Sequence, residues 1–262
     1  MNVAIEHFVA PVAHVRAEVP STIRTWHGVR AVNGRDGPGG DRVFVLPLSS
    51  GRSAIAVIDV AGHGMARAPL SSVIAGTIIA SLLRNASPAM ALGCADERLR
   101  TFDDELPNAV AFVALVHPIL RTVVYASAGH DVAFTIADDG HTRDLASTTP
   151  MLGIPLTVHA CDAVFTLAPL ETLVIATDGV SDSRPTGSRN FFGVCGIART
   201  VVRSLHNGSD PAWAVLQAAC THAHGTQADD YGVVVARINA ATGRARHGVR
   251  HRASRVHASP AV

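Results

Sequence analysis

The stretch "GGDRVFVLPLSSGRSAIAVIDVAGHG", Gly39 to Gly64, decides how the chain folds. Two apolar runs of strand type, "DRVFVLPL" and "SAIAVID", flank a short Ser/Gly turn, "SSGR", which is the pattern of a β-hairpin. The second run ends on an acid, Asp59, and breaks at once into a glycine-bracketed histidine, Gly62-His63-Gly64. Centring the hairpin on Ser49 to Arg52 makes paired positions sum to about 101. That register sets Asp59 across from Arg42 and beside Asp41, so two carboxylates meet at the open end.

Outward from the hairpin the elements come in groups. "MARAPLSSVIAGTIIASLLRN" has helical length and spacing, and "SPAMALGCADERLRTFDDEL" opens with Ser87 as N-cap and Pro88 in the first turn. Five strand patterns follow, starting at Ala109, Thr122, Val132, Ala163 and Thr172. After the polar stretch "SDSRPTGSRN" come two helices, "VCGIARTVVRSLHNG" and "DPAWAVLQAACTHAHG", the second capped by Asp210, and then a last strand, "YGVVVARI". Short-linked strands with helices in pairs predict an α+β fold, two antiparallel sheets packed face to face between helices. Upstream, "AIEHFVAPVAHVR" and "STIRTWHGVRAVNG" read as edge strands of the same body.

The acids at strand ends carry the chemistry. Asp178 follows "TLVIAT", while Asp229 and Asp230 immediately precede "YGVVVARI"; antiparallel pairing of those two strands brings the three together. Converging carboxylates repel and must take up protons or share a cation. Hard divalent cations prefer oxygen ligands, and a pair of them can clamp a phosphoryl displacement. The alternative is that aspartate, a turn former, merely ends strands here.

Composition narrows the function classes. All 22 basic residues are arginine, which excludes a lysine Schiff base or a P-loop lysine. Five arginines lie in the tail from Gly243 to Val262, which leaves 17 basic against 21 acidic residues in the body, a net charge of −4 and a poor nucleic-acid surface. Residues 1–242 read as one domain and residues 243–262 as a basic, disordered tail. Cys94, Cys161, Cys195 and Cys220 lack metal spacing and read as small buried residues. No run is long enough for a membrane span, which predicts a cytoplasmic protein without membrane contact.

Six motifs in order, "GGD" at Gly39, "DVAGHG" at Asp59, "ASAGH" at Ala126, "TDGVSDSR" at Thr177, "FFG" at Phe191 and "ADDYGVVV" at Ala228, resemble the metal-dependent protein phosphatases, in the SpoIIE-like bacterial serine/threonine branch. The resemblance implies a four-layer α-β-β-α sandwich with two Mn²⁺ or Mg²⁺ ions at one end. It implies Asp59 as the bridging ligand, the carbonyl of Val60 as a further oxygen, Asp178 and Asp229 as ligands, Asp41 binding directly or through water, and Asp230 orienting a ligand or water. The first motif departs from the common "GGDxYD" pattern at Val43 and Phe44, where the aromatic and second acid would fall. The implied partner is a phosphorylated protein, an anti-sigma-factor antagonist or another STAS-type domain. Two other functions fit the residues: a catalytically weak scaffold of the same fold, and a phosphoesterase for small molecules.

Several residues near these motifs have two readings. Arg42 contacts substrate phosphate or is a solvated edge arginine. His63 donates a proton to the leaving oxygen or structures its loop. His130 holds the turn after its strand, and the pair His222 and His224 forms a solvated helix end rather than a chelate. Segment 181–190 is expected as a mobile loop beside the metals, with Arg184 and Arg189 recognising phosphate or an acidic protein face.

Overall fold

Alternation along the strands sorts the side chains into layers. In the strand Ser53–Val60, Ala54, Ala56 and Ile58 point to one side and Ile55 and Val57 to the other, and all five are fully buried. A strand buried on both faces needs a partner layer on each. The computed structural model supplies both, and it describes residues 23–32, 39–62, 67–102, 108–154 and 159–238.

The described elements are β1 (Ile23–Arg30), β2 (Arg42–Pro47), β3 (Ser53–Val60), α1 (Ala68–Leu83), α2 (Pro88–Leu99), β4 (Ala109–His117), β5 (Thr122–Ala128), β6 (Ala133–Ile136), β7 (Thr142–Asp144), β8 (Ala163–Thr166), β9 (Thr172–Ala176), α3 (Asp178–Ser181), α4 (Gly193–His206), α5 (Pro211–His222) and β10 (Tyr231–Ile238). One sheet has the order β1-β10-β9-β6-β7 and the other β2-β3-β4-β5-β8, with every pairing antiparallel.

Three apolar clusters separate four layers. Ile74, Ile78 and Leu82 of α1 and Leu92 and Leu99 of α2 cover the outer face of the second sheet. Ile55, Val57, Phe112 and Val123 meet Leu173, Ile175, Val234 and Ala236 between the sheets. Ile197 and Val201 of α4 and Val215 and Leu216 of α5 cover the outer face of the first. Each fully buried Ile or Leu in these layers contributes roughly 1.5–3 kcal/mol. The predicted α-β-β-α sandwich is therefore the fold. The predicted caps are present: Ser87 Oγ accepts from the Met90 N–H at 3.3 Å, and Asp210 Oδ1 from the Trp213 N–H at 2.9 Å.

Three expectations change. The β2–β3 connection is the five-residue loop 48–52, closed by Leu48 N–H to Arg52 O, and it sets Arg42 opposite Ile58 instead of Asp59. Short β7 and α3 were not legible, β7 because Thr142-Arg143-Asp144 is exposed throughout and carries no apolar alternation. Finally, Cys94, Cys161 and Cys195 are exposed and Cys220 is half-buried, contrary to the buried reading. On α2 the buried positions are Pro88, Ala91, Leu92, Ala95 and Leu99, and Cys94 falls outside that stripe.

The upstream strand candidate "AIEHFVAPVAHVR" and the tail from Gly243 lie outside the described residues; within "STIRTWHGVRAVNG", Ile23–Arg30 is β1, the edge of its sheet beside β10. Among the described residues no helix is long and apolar enough to cross a membrane.

Candidate metal centre

Strand parity aims the acids. On β3, Ile55 and Val57 face the opposite sheet, so Asp59 two positions on faces it too; on β2, Val43 and Val45 do the same for Asp41. With Arg42 opposite Ile58, the next positions outward are Asp41 and Asp59, so the two acids stand across from each other at the strand ends. In the facing sheet β9 and β10 pair antiparallel from Val233↔Ala176, which brings Asp178 and the Asp229-Asp230 pair to the same end.

The contacts among these acids are close. Asp59 is in hydrogen-bonding contact with Asp41 and with Asp178. Burial first, then repulsion by Asp178 and Asp229, pushes the Asp59 carboxyl up to about 7. Asp41 is 2% exposed; burial, then the neighbouring Asp59, holds its carboxyl well above the ordinary range against a hydrogen bond from Thr177. Its Oδ2 has no hydrogen-bond partner. A buried acceptor left in that state costs about 1–3 kcal/mol and marks a place for a missing cation, water or proton.

Asp230 is built differently. Its carboxylate accepts the Gly40 N–H at 2.6 Å and the Val32 N–H at 2.7 Å, pinning the 39–41 turn and the end of β1. It positions the turn that carries Asp41. The motif glycines make this possible: a Cβ on Gly39 would lie 2.0 Å from Asp230 Oδ2, and one on Gly179 would lie 2.1 Å from the Asp230 carbonyl oxygen. Asp229 Oδ1 accepts the Asp230 N–H at 2.8 Å.

Arg42 is not the solvated edge arginine of the second reading. Even parity turns it away from the acids toward α1, where it donates to the carbonyls of Gly39 and Asp41 at 2.9 Å and to Ala68 O and Ser72 Oγ at 3.1 Å. It ties the Asp41 turn to the first turn of α1. Thr177, which sequence reasoning passed over, does more: its hydroxyl accepts the Gly232 N–H at 2.8 Å and bonds Asp41. No local signal marks it, because both of its partners come from other strands.

A cavity of about 350 Å³ opens beside Asp178 and Asp229, with Asp182, Arg184, Thr226 and Tyr231 in its walls. Segment 181–190, expected to be mobile throughout, is anchored near its start. Ser183 is buried and donates to Ala219 O at 2.8 Å, with the Tyr231 hydroxyl also at 2.8 Å. The Arg184 guanidinium lies over the Phe191 ring at 4.4 Å and donates to Asp182 O at 3.1 Å. Arg189 is exposed and does not line the cavity.

His63 lies outside the described residues. His130 is buried with both ring nitrogens unpartnered, its edge against Phe112 and its carbonyl accepting from Ser127 Oγ at 3.1 Å. Burial pushes its imidazole down to about 4. His222 Nε2 lies 2.8 Å from Asn190 O, while His224 is exposed.

The donor set fits a pair of hard divalent cations. It is all oxygen, it is anionic, it includes an orphaned buried carboxylate oxygen, and its members raise one another's proton affinity. The carbonyl oxygen of Val60 lies 3.1 Å from the place a Cβ on Gly40 would take, beside the Asp41 turn. The carboxylates meet in pairs; among the described residues no group of three or more His, Cys, Asp or Glu side chains stands ready around one metal-sized point.

Comparison with known proteins agrees with the fold. The structure resembles the RsbU and RsbW domains of Rv1364c from Mycobacterium tuberculosis, with a TM-score of 0.75 at 20% identity over 88% of this chain and 64% of that one, so the chain spans under two thirds of that protein's length. It also resembles the SiaA-PP2C domain of Pseudomonas aeruginosa, with a TM-score of 0.67 at 23% identity over 80% of this chain and 85% of that one. A third likeness is to RsbX in complex with magnesium, with a TM-score of 0.62 at 14% identity over 87% of this chain and all of that one. No curated protein sequence matches the chain. The family model for Stage II sporulation protein E (SpoIIE) matches residues 49–239, well over half of the chain, and the protein belongs to that family.

Proposed function

We propose that the protein is a Mn²⁺- or Mg²⁺-dependent phosphoserine/phosphothreonine phosphatase that acts on a bacterial signalling protein, of the anti-sigma-factor-antagonist or STAS type. The observation that carries this reading is that Asp59 contacts Asp41 of its own sheet and Asp178 of the facing one, with its carboxyl pushed up to about 7. Family membership and the PP2C, RsbU and RsbX neighbours support the reaction class. The magnesium named with RsbX supports the choice of ion.

In this reading the metal ions would be held by Asp41, Asp59, Asp178, Asp229 and the carbonyl of Val60. The bound ions would supply an activated water and positive charge for the phosphoryl group. The chain's own contribution is placement. Asp230 fixes the turn of Asp41 through two backbone N–H groups, Thr177 orients the Asp41 carboxylate, and Arg42 locks the same turn to α1. The cavity beside Asp178 and Asp229 accommodates substrate residues next to the phosphate, with Arg184 in its wall and Arg189 further out on the same segment.

Hydrolysis of p-nitrophenyl phosphate with added Mn²⁺ tests the reading. Chelator is expected to abolish turnover and a thiol alkylator to leave it intact, since no cysteine lines the cavity. Turnover that survives excess chelator, or that stops on alkylation, would reject the metal mechanism.

A further inference from the structure

Five carboxylates outweigh the charge of two divalent ions, so even the ion-loaded end of the molecule stays net negative toward an approaching phosphate dianion. A guanidinium would offset that charge, since it offers paired N–H donors to phosphate oxygens. The arginines singled out from sequence do not offer a free one at the acids. Arg42 is bound to three carbonyls and a hydroxyl, Arg184 is stacked on Phe191 and bonded to Asp182 O, and Arg189 stands outside the cavity.

Arg67 does. It is the N-cap residue of α1, is exposed and makes no side-chain capping bond. Its Cβ lies 3.6 Å from the place a Cβ on Gly40 would occupy, which sets its stem against the turn that carries Asp41. Its Nε and Nη2 lie 3.0 Å and 3.6 Å from the corresponding place on Gly62, so the guanidinium lies across the loop that follows Asp59. Gly62 holds φ +89, a conformation that favours glycine, and a Cβ there would press on Arg67 Nε at 3.0 Å. Among the described residues the Arg67 guanidinium has no hydrogen bond or ion pair, and it pairs with none of the five aspartates.

We infer that Arg67 binds the phosphate of the substrate, with its guanidinium reaching from the lip of the Asp59 loop toward oxygens that the acids alone would repel. The inference rests on the phosphatase reading for its substrate, but not on turnover for its test. Sequence reasoning missed Arg67 because it follows the "DVAGHG" motif within a helical pattern, and only the fold returns it to Gly40 and Gly62.

The experiment has two arms. Inorganic phosphate binding to Mg²⁺-loaded protein is measured by calorimetry, and KM and kcat for p-nitrophenyl phosphate are measured with the same ion. Arg67→Ala is expected to weaken phosphate binding and raise KM about tenfold each, with kcat changed less than threefold, and Arg67→Lys is expected to fall between. Arg52→Ala removes the same charge at the opposite end of β3 and is expected to change neither quantity. Phosphate affinity within twofold of wild type in Arg67→Ala, an equal loss in Arg52→Ala, or no phosphate binding by the wild type would each overturn the inference. Arg67-dependent phosphate binding without turnover would uphold it while rejecting the phosphatase reading.

Discussion

At one end of the sandwich five carboxylates gather at the strand ends, two of them buried; at the other, the same strands turn back through loops that satisfy themselves. Asp41 and Asp59 are held with raised proton affinity, and a buried oxygen of Asp41 has no partner. The far end closes the β2–β3 loop with Leu48 N–H to Arg52 O and Gly51 N–H to Leu48 O, and leaves Ile119 and Leu120 of the β4–β5 turn 79% and 63% exposed. Space differs as sharply. A Cβ on Gly51 would meet nothing within 4 Å, whereas one on Gly39 would strike Asp230 at 2.0 Å. The difference teaches where strain is kept: a packed, costly arrangement is retained where charge must be concentrated, and an open one suffices elsewhere.

The largest expected effect separates activity from stability at the acid end. Asp59→Asn keeps size and loses the charge that would bridge two ions, so turnover of p-nitrophenyl phosphate should fall about a thousandfold, roughly 4 kcal/mol in barrier. The same change relieves repulsion and should raise the metal-free melting temperature. Near-normal turnover, or a lower melting temperature, would break the comparison.

His130 provides a pH signature. Its imidazole is pushed down to about 4 by burial, below its unfolded value of about 6.5. The unfolded chain therefore binds the extra proton first, so this group's contribution to stability is full above pH 6.5 and is lost as pH falls toward 4. The loss is about 3 kcal/mol. Denaturant unfolding of wild type and His130→Leu should diverge by that amount between pH 7 and pH 4, with the wild type falling further. Parallel curves would show that the buried imidazole is not the cause.

A pair of glycine substitutions sharpens the contrast between the ends. Gly39→Ala should cost about 2–3 kcal/mol through overpacking against Asp230. Gly51→Ala should cost about 1 kcal/mol, because only its φ of +73 is strained. Equal costs would remove the distinction. The smallest effect concerns the cavity segment: Arg184→Ala with Arg189→Ala should lower turnover of a phosphorylated STAS-type protein about threefold more than turnover of p-nitrophenyl phosphate. Equal losses on both substrates would place protein recognition elsewhere.

Much of this could be read from the sequence, for physical reasons. The apolar run in "SAIAVID" gave β3 its two buried faces, and the convergence of Asp178 with Asp229 and Asp230 followed once β9 and β10 were taken as antiparallel neighbours, as they are. The register of β2 slipped by one because the connection is five residues long, and a one-residue slip moves side chains to the other face. That slip hid the direct opposition of Asp41 and Asp59, and the turning of Arg42 toward α1 with it. Thr177 and Arg67 were hidden for another reason: their roles depend on contacts between separate elements, Thr177 with Gly232 and Arg67 with Gly40, which no local pattern encodes.

The central claim is that the acid end is built to be relieved by divalent cations, and thermal unfolding with and without Mn²⁺ tests it most directly. At a concentration about a hundred times the dissociation constant, binding to the folded state alone adds about 2.7 kcal/mol. The wild type should therefore melt several degrees higher with Mn²⁺, the shift should reverse with chelator, and Asp59→Asn should lose most of it. A wild-type melting temperature indifferent to Mn²⁺ and Mg²⁺, or a shift fully retained in Asp59→Asn, would contradict the account.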